Sequence, residues 1–238
     1  MTAIVIIAGT DTGVGKTIVT AALATLARSR GDRVAVVKPA QTGVGPTDPG
    51  DLDDIRRLAG VEDLHELARF AEPLAPATAA RRAGVRAPSV ADHAETIRAL
   101  RDRDLVLVEG AGGLLVELDS DRGTLADLAA RLLAPVIVVA RAGLGTLNAA
   151  ALTCEALRRR KLQCLGVVIG SWPLRPDLAA RCNLEDLPVY TGCPLLGRMP
   201  EQSGSLPALE FLDAARAALA PARTHERARH LVSSAARG

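Results

Sequence analysis

The sequence predicts an α/β fold: a doubly wound, mostly parallel sheet with helices on both faces. Three observations predict it. Short runs of consecutive apolar residues recur along the chain, at 4–8, 34–37, 105–108, 135–140 and 164–169. A strand that is apolar on both faces belongs inside a parallel sheet covered on both sides. Helix-length segments separate these runs, which is the alternation of βαβ units. Finally, the turn Gly9-Thr10-Asp11-Thr12-Gly13-Val14-Gly15-Lys16-Thr17 joins the first run to the first helical segment. A strand, a glycine-rich turn and a helix start make the phosphate cradle of a P-loop NTPase.

The elements follow in order. Residues 3–8 form the first strand and 16–30 the first helix, closed by Gly31. The second strand is 33–38, ending in Lys38, and Pro39 stops its ladder. A loop follows, then a helix over 52–59 with Asp51 at its N-cap. Residues 61–103 read as short helices and Pro- or Gly-marked turns, where His65 and His93 are surface or packing residues. The third strand is 104–109, ending in Glu109 and followed by Gly110-Ala111-Gly112-Gly113. A helix over 124–133, a strand over 135–140 and a helix over 146–160 come next. The fifth strand, 164–169, runs into Gly170-Ser171-Trp172-Pro173, and a short strand lies near 194–196. A helix over about 206–220 closes a single domain of residues 1–220, and the Arg- and Ala-rich residues 221–238 are expected to form a frayed or disordered tail.

Composition narrows the function. At 238 residues, 48% hydrophobic but with only two Phe, one Trp and one Tyr, the chain builds an aliphatic core. A net charge of +2 gives no argument for nucleic acid or membrane. The N-terminus lacks a basic leader and no 18-residue apolar span is free of charge, so neither a signal peptide nor a membrane helix is expected. Cys154, Cys164, Cys182 and Cys193 show no C-x-x-C spacing and no neighbouring His pair. That predicts neither a metal site nor a disulfide framework, and a reduced, cytoplasmic setting.

Lysine is rare: Lys16, Lys38 and Lys161 stand against a background of arginine. Lys161 ends a helix, where a cation meets the negative end of the dipole. Lys16 belongs to the loop, where a slim ammonium reaches the β- and γ-phosphates and Thr17 offers Mg²⁺ a hard oxygen. Gly9 and Gly13 are expected to take the loop's special backbone angles, since Thr10 stands where a first glycine is usual. Ligands of open α/β sheets bind beyond the strands' carboxyl ends, so Lys38 and Glu109 belong beside the loop. Glu109 after four apolar residues occupies the position of a carboxylate that holds Mg²⁺. Asp51 is a candidate further oxygen ligand, a helix cap, or both at once. Asp53 and Asp54 compete for the metal role but read better as solvated acids of a first helical turn.

Three segments, Gly9–Thr17, Lys38-Pro39-Ala40-Gln41-Thr42-Gly43 and Glu109-Gly110-Ala111-Gly112-Gly113, resemble the signatures of the dethiobiotin synthetase family. Leu144-Gly145-Thr146-Leu147-Asn148 resembles a fourth family segment, and the likeness spans most of residues 1–200. The resemblance implies an ATP-dependent cyclo-ligase acting on 7,8-diaminopelargonic acid and CO₂. One amine captures CO₂ as a carbamate, which attacks the γ-phosphate of MgATP, and the second amine closes the ring with release of phosphate. It implies catalytic roles for Lys16 and Lys38, and Mg²⁺ held by Thr17, Asp51 and Glu109. Nucleotide contacts fall to Gly13, Val14, Gly15, Lys16, Thr17, Ile18, Asp51, Glu109, Gly110, Ala111 and Gly112. On the base side they fall to Gly170, Ser171, Pro200, Glu201 and Gln202. Many family members carry Asn-Asp where this chain has Gly170-Ser171. Substrate contacts fall to Thr12, Thr42, Gly112 and Gly113, with Leu147 and Asn148 reaching across a homodimer interface. A switch ATPase of the ParA/MinD kind is the rival reading, although Asp11 stands where such proteins carry an extra lysine. An amide-forming ATPase of the cobyric acid type is a second rival, without room here for a glutaminase domain.

Overall fold

A computed structural model describes residues 2–219. In chain order it gives β1 (Ala3–Gly9), α1 (Lys16–Arg28), β2 (Val34–Lys38), β3 (Gln41–Thr42) and α2 (Asp51–Ala59). Then come β4 (Leu64–Glu66), β5 (Arg69–Phe70), α3 (Pro76–Ala83), α4 (Val90–Ala99) and β6 (Leu105–Gly113). The rest are α5 (Leu125–Leu132), β7 (Val136–Ala140), α6 (Thr146–Arg159), β8 (Cys164–Trp172), α7 (Leu178–Thr191), β9 (Leu195–Pro200) and α8 (Ala208–Ala218). A seven-stranded sheet of order β4-β2-β6-β1-β7-β8-β9 forms the centre, and each neighbouring pair is parallel. Strands β3 and β5 make a separate parallel pair.

The alternation of a strand decides which residues face which helices. Val5 and Ile7 join the layer of α1, α2 and α8, with Val19, Ile55 and Phe211. Ile6 and Ala8 join the opposite layer of α4, α5 and α6, with Ile97, Leu128 and Leu157. In β2 and β6 the α1 layer takes Val34, Val36, Leu105 and Leu107. Continuing the same period puts Lys38 and Glu109 on that face, over the start of α1. The chain leaves β1 toward β2 and later crosses back over it to β7, so the loop after β1 lies at the switch in strand order.

Several elements differ from expectation. Strand β6 runs four residues past Glu109, to Gly113, and β8 and β9 likewise extend to Trp172 and Pro200. Glycine and polar residues continue these strands because a parallel neighbour, not apolarity, holds their backbones. Strand β4 has no apolar run; its Leu-His-Glu pairs with β2 at the sheet edge. Helix α7 carries Pro188 in its last turn, where the missing N–H breaks the usual helical signature. Gly50, not Asp51, caps α2; Asp51 is its first residue, and Asp53 accepts from the Gly50 N–H at 2.8 Å. His93 is buried in packing, as expected, and burial pulls its pKa down. The tail expected at 221–238 lies outside the described residues.

Candidate active site

Helix α1 opens on Gly15, in the left-handed region at φ 93°, with Gly13 at φ 69° just before it. These two carry the loop's positive angles. Gly9 serves differently from expectation: its φ is not positive, but a Cβ there would stand 2.6 Å from the Asp11 carbonyl oxygen and 2.9 Å from Lys16 Nζ. Its contribution is space. Lys16 is nearly buried and Nζ donates to the Asp11 carbonyl at 3.0 Å. Burial, and then the charge of Lys38, push the Lys16 pKa below its usual value despite Glu109, Asp51 and Asp11. The two ammonium groups therefore oppose each other, although β6 lies between the strands they follow.

The register assembles the rest. Val37 pairs with Val108 and Ile7 with Glu109, so Lys38 sits beside Glu109, and Glu109 beside β1. Lys38 Nζ donates to Glu109 Oε1 at 2.8 Å and to the Gly110 carbonyl at 3.3 Å, and it is ion-paired with Asp51. Glu109 Oε1 also accepts from the Thr17 hydroxyl at 2.9 Å. A buried charge persists only when paired, and here each has partners. Burial of Lys38 works against its charge, yet Glu109 and Asp51 hold its pKa above the usual value. Burial works against the Asp51 carboxylate too, but Lys38 brings its pKa below normal. One atom stands out: Glu109 Oε2 is buried without a hydrogen-bond partner. With Thr17 and Asp51 beside it, that atom completes a set of hard oxygen donors suited to a divalent cation.

A cleft of about 760 Å³ opens above these groups. It is lined by Thr12, Gly13, Gly15, Lys16, Thr17, Ile18, Lys38, Thr42, Asp51, Glu109, Ala111 and Gly112, all anticipated from sequence. Val14 is buried beneath the loop and Gly110 lies under Lys38. Gly113 packs its backbone against Gly9 and Thr10. Leu147 and the exposed Asn148 lie on the first turn of α6, away from this cleft. The base-side residues do not line it either; they sit near the ends of β8 and β9. Glu201 accepts from the Leu174 N–H at 2.8 Å, Ser171 and Gln202 are exposed, and Pro200 pairs with Trp172. A Cβ at Gly170 would fall 2.0 Å from the Val14 carbonyl oxygen and 3.0 Å from Gly15 Cα. That position thus holds glycine because β8 presses on the phosphate loop.

Four contributors escaped the sequence reading. Gln41 is buried and its Oε1 accepts from the Asp51 N–H at 3.0 Å, aiming the start of α2 at the cleft. Its signal was its place within Lys38–Gly43. The turn Pro73–Pro76 supplies a wall of the cleft, as does Val116. Arg141, just past β7, donates to Asp11 Oδ2 at 3.0 Å and to the Thr12 carbonyl at 3.2 Å.

Residues 4–207 match the AAA_26 family of AAA domains. The chain is 60% identical over 223 residues to an ATP-dependent dethiobiotin synthetase BioD of Frankia casuarinae, covering 93% of each. It is 62% identical over 220 residues to one of Saccharopolyspora erythraea, covering 92% of this chain and 96% of that one. Among solved structures, the septum site-determining protein MinD of Pyrococcus horikoshii aligns with TM-score 0.60 at 18% identity, over 97% of this chain and 96% of that one. Chloroplast FtsY of Physcomitrella patens aligns with TM-score 0.53 at 18% identity, over 91% of this chain and 66% of that one. The likeness to these two structures is one of fold.

Proposed function

The chain belongs to the ATP-dependent dethiobiotin synthetase family, an ATP-dependent cyclo-ligase of biotin synthesis, and from that premise we propose the chemistry of its cleft. The reaction joins CO₂ to 7,8-diaminopelargonic acid and closes the ureido ring at the expense of ATP, through a carbamate and a carbamic–phosphoric anhydride. The observation that carries this reading is the meeting of Lys16 and Lys38 over Thr17, Asp51 and Glu109 in one cleft. Bringing a carbamate against a triphosphate sets like charges together, so preorganised cations are what the step needs.

In this reading the loop's N–H groups and Lys16 hold the β- and γ-phosphates. Lys38, kept protonated by two carboxylates, meets the carbamate oxygen. Its burial lends that charge more force than water would allow. Thr17, Asp51 and the unpartnered Glu109 Oε2 fit Mg²⁺, which when bound supplies charge neutralisation for the phosphates. Thr12, Thr42, Gly112 and Gly113 face the diamine. Gly170, Ser171, Pro200, Glu201 and Gln202 face the base. Leu147 and Asn148 meet the substrate's carboxylate tail from a second copy of the chain, so the working unit is a homodimer. Among the described residues no helix is long and apolar enough to cross a membrane.

The test is ADP release with MgATP and bicarbonate, with and without the diamine. Release that requires the diamine, and ignores DNA and lipid vesicles, is the expected result. Release indifferent to the diamine but raised by DNA or lipid overturns the reading.

A further inference from the structure

The opposite rim of the sheet gathers three thiols that the cleft does not use. Cys154 lies on the inner face of α6, Cys164 is the first residue of β8, and Cys193 immediately precedes Pro194 and β9. All three occupy the N-terminal rim of the strands, while the phosphate loop leaves the C-terminal rim. Their Sγ atoms lie within 4.8 Å of one another, and the thiols are free. Cys154 is fully buried; Cys164 and Cys193 are half-buried. Positions far apart in the sequence thus send their sulfurs to one point, a cluster that the absence of C-x-x-C spacing did not foreshadow.

We propose that Cys154, Cys164 and Cys193 form a three-thiolate site for a thiophilic d¹⁰ cation, Zn²⁺ or Cu⁺. The geometry is close to what such an ion needs. Sulfurs bound to one ion at about 2.3 Å stand about 3.8–4.0 Å apart, so a contraction of roughly 1 Å or less completes the site. A disulfide would use two of the sulfurs and leave the third without purpose; one ion uses all three. The donor set is entirely soft, which selects Zn²⁺ or Cu⁺ over Mg²⁺.

The surroundings hold the sulfurs in place. The Cys164 thiol donates to the Gly166 carbonyl at 3.6 Å, and the Arg158 charge lies near Cys193. Arg158 anchors itself by donating to the Thr191 carbonyl at 2.7 Å. The Cys193 backbone is fixed by Thr191, whose hydroxyl accepts from its N–H at 3.2 Å and donates to its carbonyl at 3.3 Å. Each thiol releases its proton to solvent as the ion binds. Solvent reaches the half-buried side, so a water can complete a tetrahedral Zn²⁺ shell, whereas Cu⁺ accepts the three sulfurs alone. The ion ties α6, β8 and β9 together at the edge of the molecule.

The test uses the reduced, untagged full chain under anaerobic conditions, with excess Mg²⁺ to occupy the cleft. Zn²⁺ is titrated against a chromophoric chelator, Cu⁺ against a Cu⁺-specific chelator, and Co²⁺ reports sulfur ligation through its thiolate charge-transfer band. One ion per chain with that band is expected, along with a raised melting temperature for the preferred ion. Cys193→Ser, at a half-buried position, should weaken binding by at least about 100-fold, more than loss of a hydrogen bond behind a ligand. Cys182→Ser, at the exposed cysteine outside the cluster, should bind as the wild type does. Absence of stoichiometric binding overturns the proposal, as does unchanged binding by a folded Cys193→Ser. Isolation of the chain with two of these thiols joined in a disulfide and no ion overturns it as well.

Discussion

The two rims of this sheet solve opposite problems with the same strands. At the C-terminal rim, hard charged groups converge: two ammoniums and two carboxylates within reach of one hydroxyl. At the N-terminal rim, three soft thiols converge, and Arg158 is the charge that acts on them. The difference teaches what each rim tolerates. Buried ions must be paired before any ligand arrives, so the upper rim is already a network of opposite charges. Thiols can wait neutral at little cost, since a free cysteine packs as a small apolar residue.

That contrast predicts its largest effect at Lys38. Lys38→Met leaves Glu109 and Asp51 facing each other without their cation. Turnover should fall by about 10²–10³, and urea unfolding should show a loss of about 3–5 kcal/mol, the cost of orphaning a buried charge. The double variant Lys38→Met, Glu109→Leu should recover most of the stability and none of the turnover. The pH profile carries the same sign. Lys38, with its pKa raised, contributes fully below its unfolded value of 10.5 and loses that contribution as pH climbs through the higher folded value. Asp51, with its pKa lowered, contributes above 3.8 and loses that contribution as pH falls through the lower folded value. Wild-type stability should therefore be flat with respect to these groups between those limits. In Lys38→Met the acid limb should begin at higher pH, because Asp51 has lost the charge that lowered it. A single variant as stable as wild type, with an unmoved acid limb, would mean that the upper rim needs no such pairing.

A smaller effect lies where the rim is tight and uncharged. Gly170→Ala places a Cβ 2.0 Å from the Val14 carbonyl oxygen, so the phosphate loop must move. Overpacking of this kind costs about 1–3 kcal/mol. Nucleotide affinity measured calorimetrically should weaken by about 5- to 100-fold, with metal binding at the thiols unchanged. Wild-type affinity in this variant would show that β8 does not set the loop's position.

These outcomes follow how the sites are written in the chain. The phosphate loop is contiguous, so Gly13, Lys16 and Thr17 were legible as a unit, as were the apolar cores of β1, β2 and β7. Lys38 and Glu109 were legible as charges at the ends of apolar runs, because burying a charge demands a reason. Gln41 was not, since a buried amide between two elements looks like any loop glutamine. Helix α7 was hidden by Pro188, and β4 by its lack of an apolar run. The thiols were hidden for a different cause. Cys164 lies ten positions after Cys154 and Cys193 twenty-nine after Cys164, and only the packing of α6 on β8, beside its parallel neighbour β9, brings them together.

The smallest effect belongs to the outermost charge of the upper rim. Arg141 reaches Asp11 and the Thr12 carbonyl, yet both ionic side chains are 61% exposed. An exposed ion pair contributes about 0–1 kcal/mol, so Arg141→Ala should change nucleotide affinity by less than about fivefold. Raising ionic strength should shrink even that difference, because solvent ions screen such a pair. Lys38, fully enclosed, should by contrast keep its effect in high salt. If Arg141→Ala weakened nucleotide binding more than tenfold, and salt left the loss intact, Arg141 would be meeting the phosphates directly instead of bracing the loop from outside. Burial would then no longer be the property that separates the costly charges of this rim from the inexpensive ones.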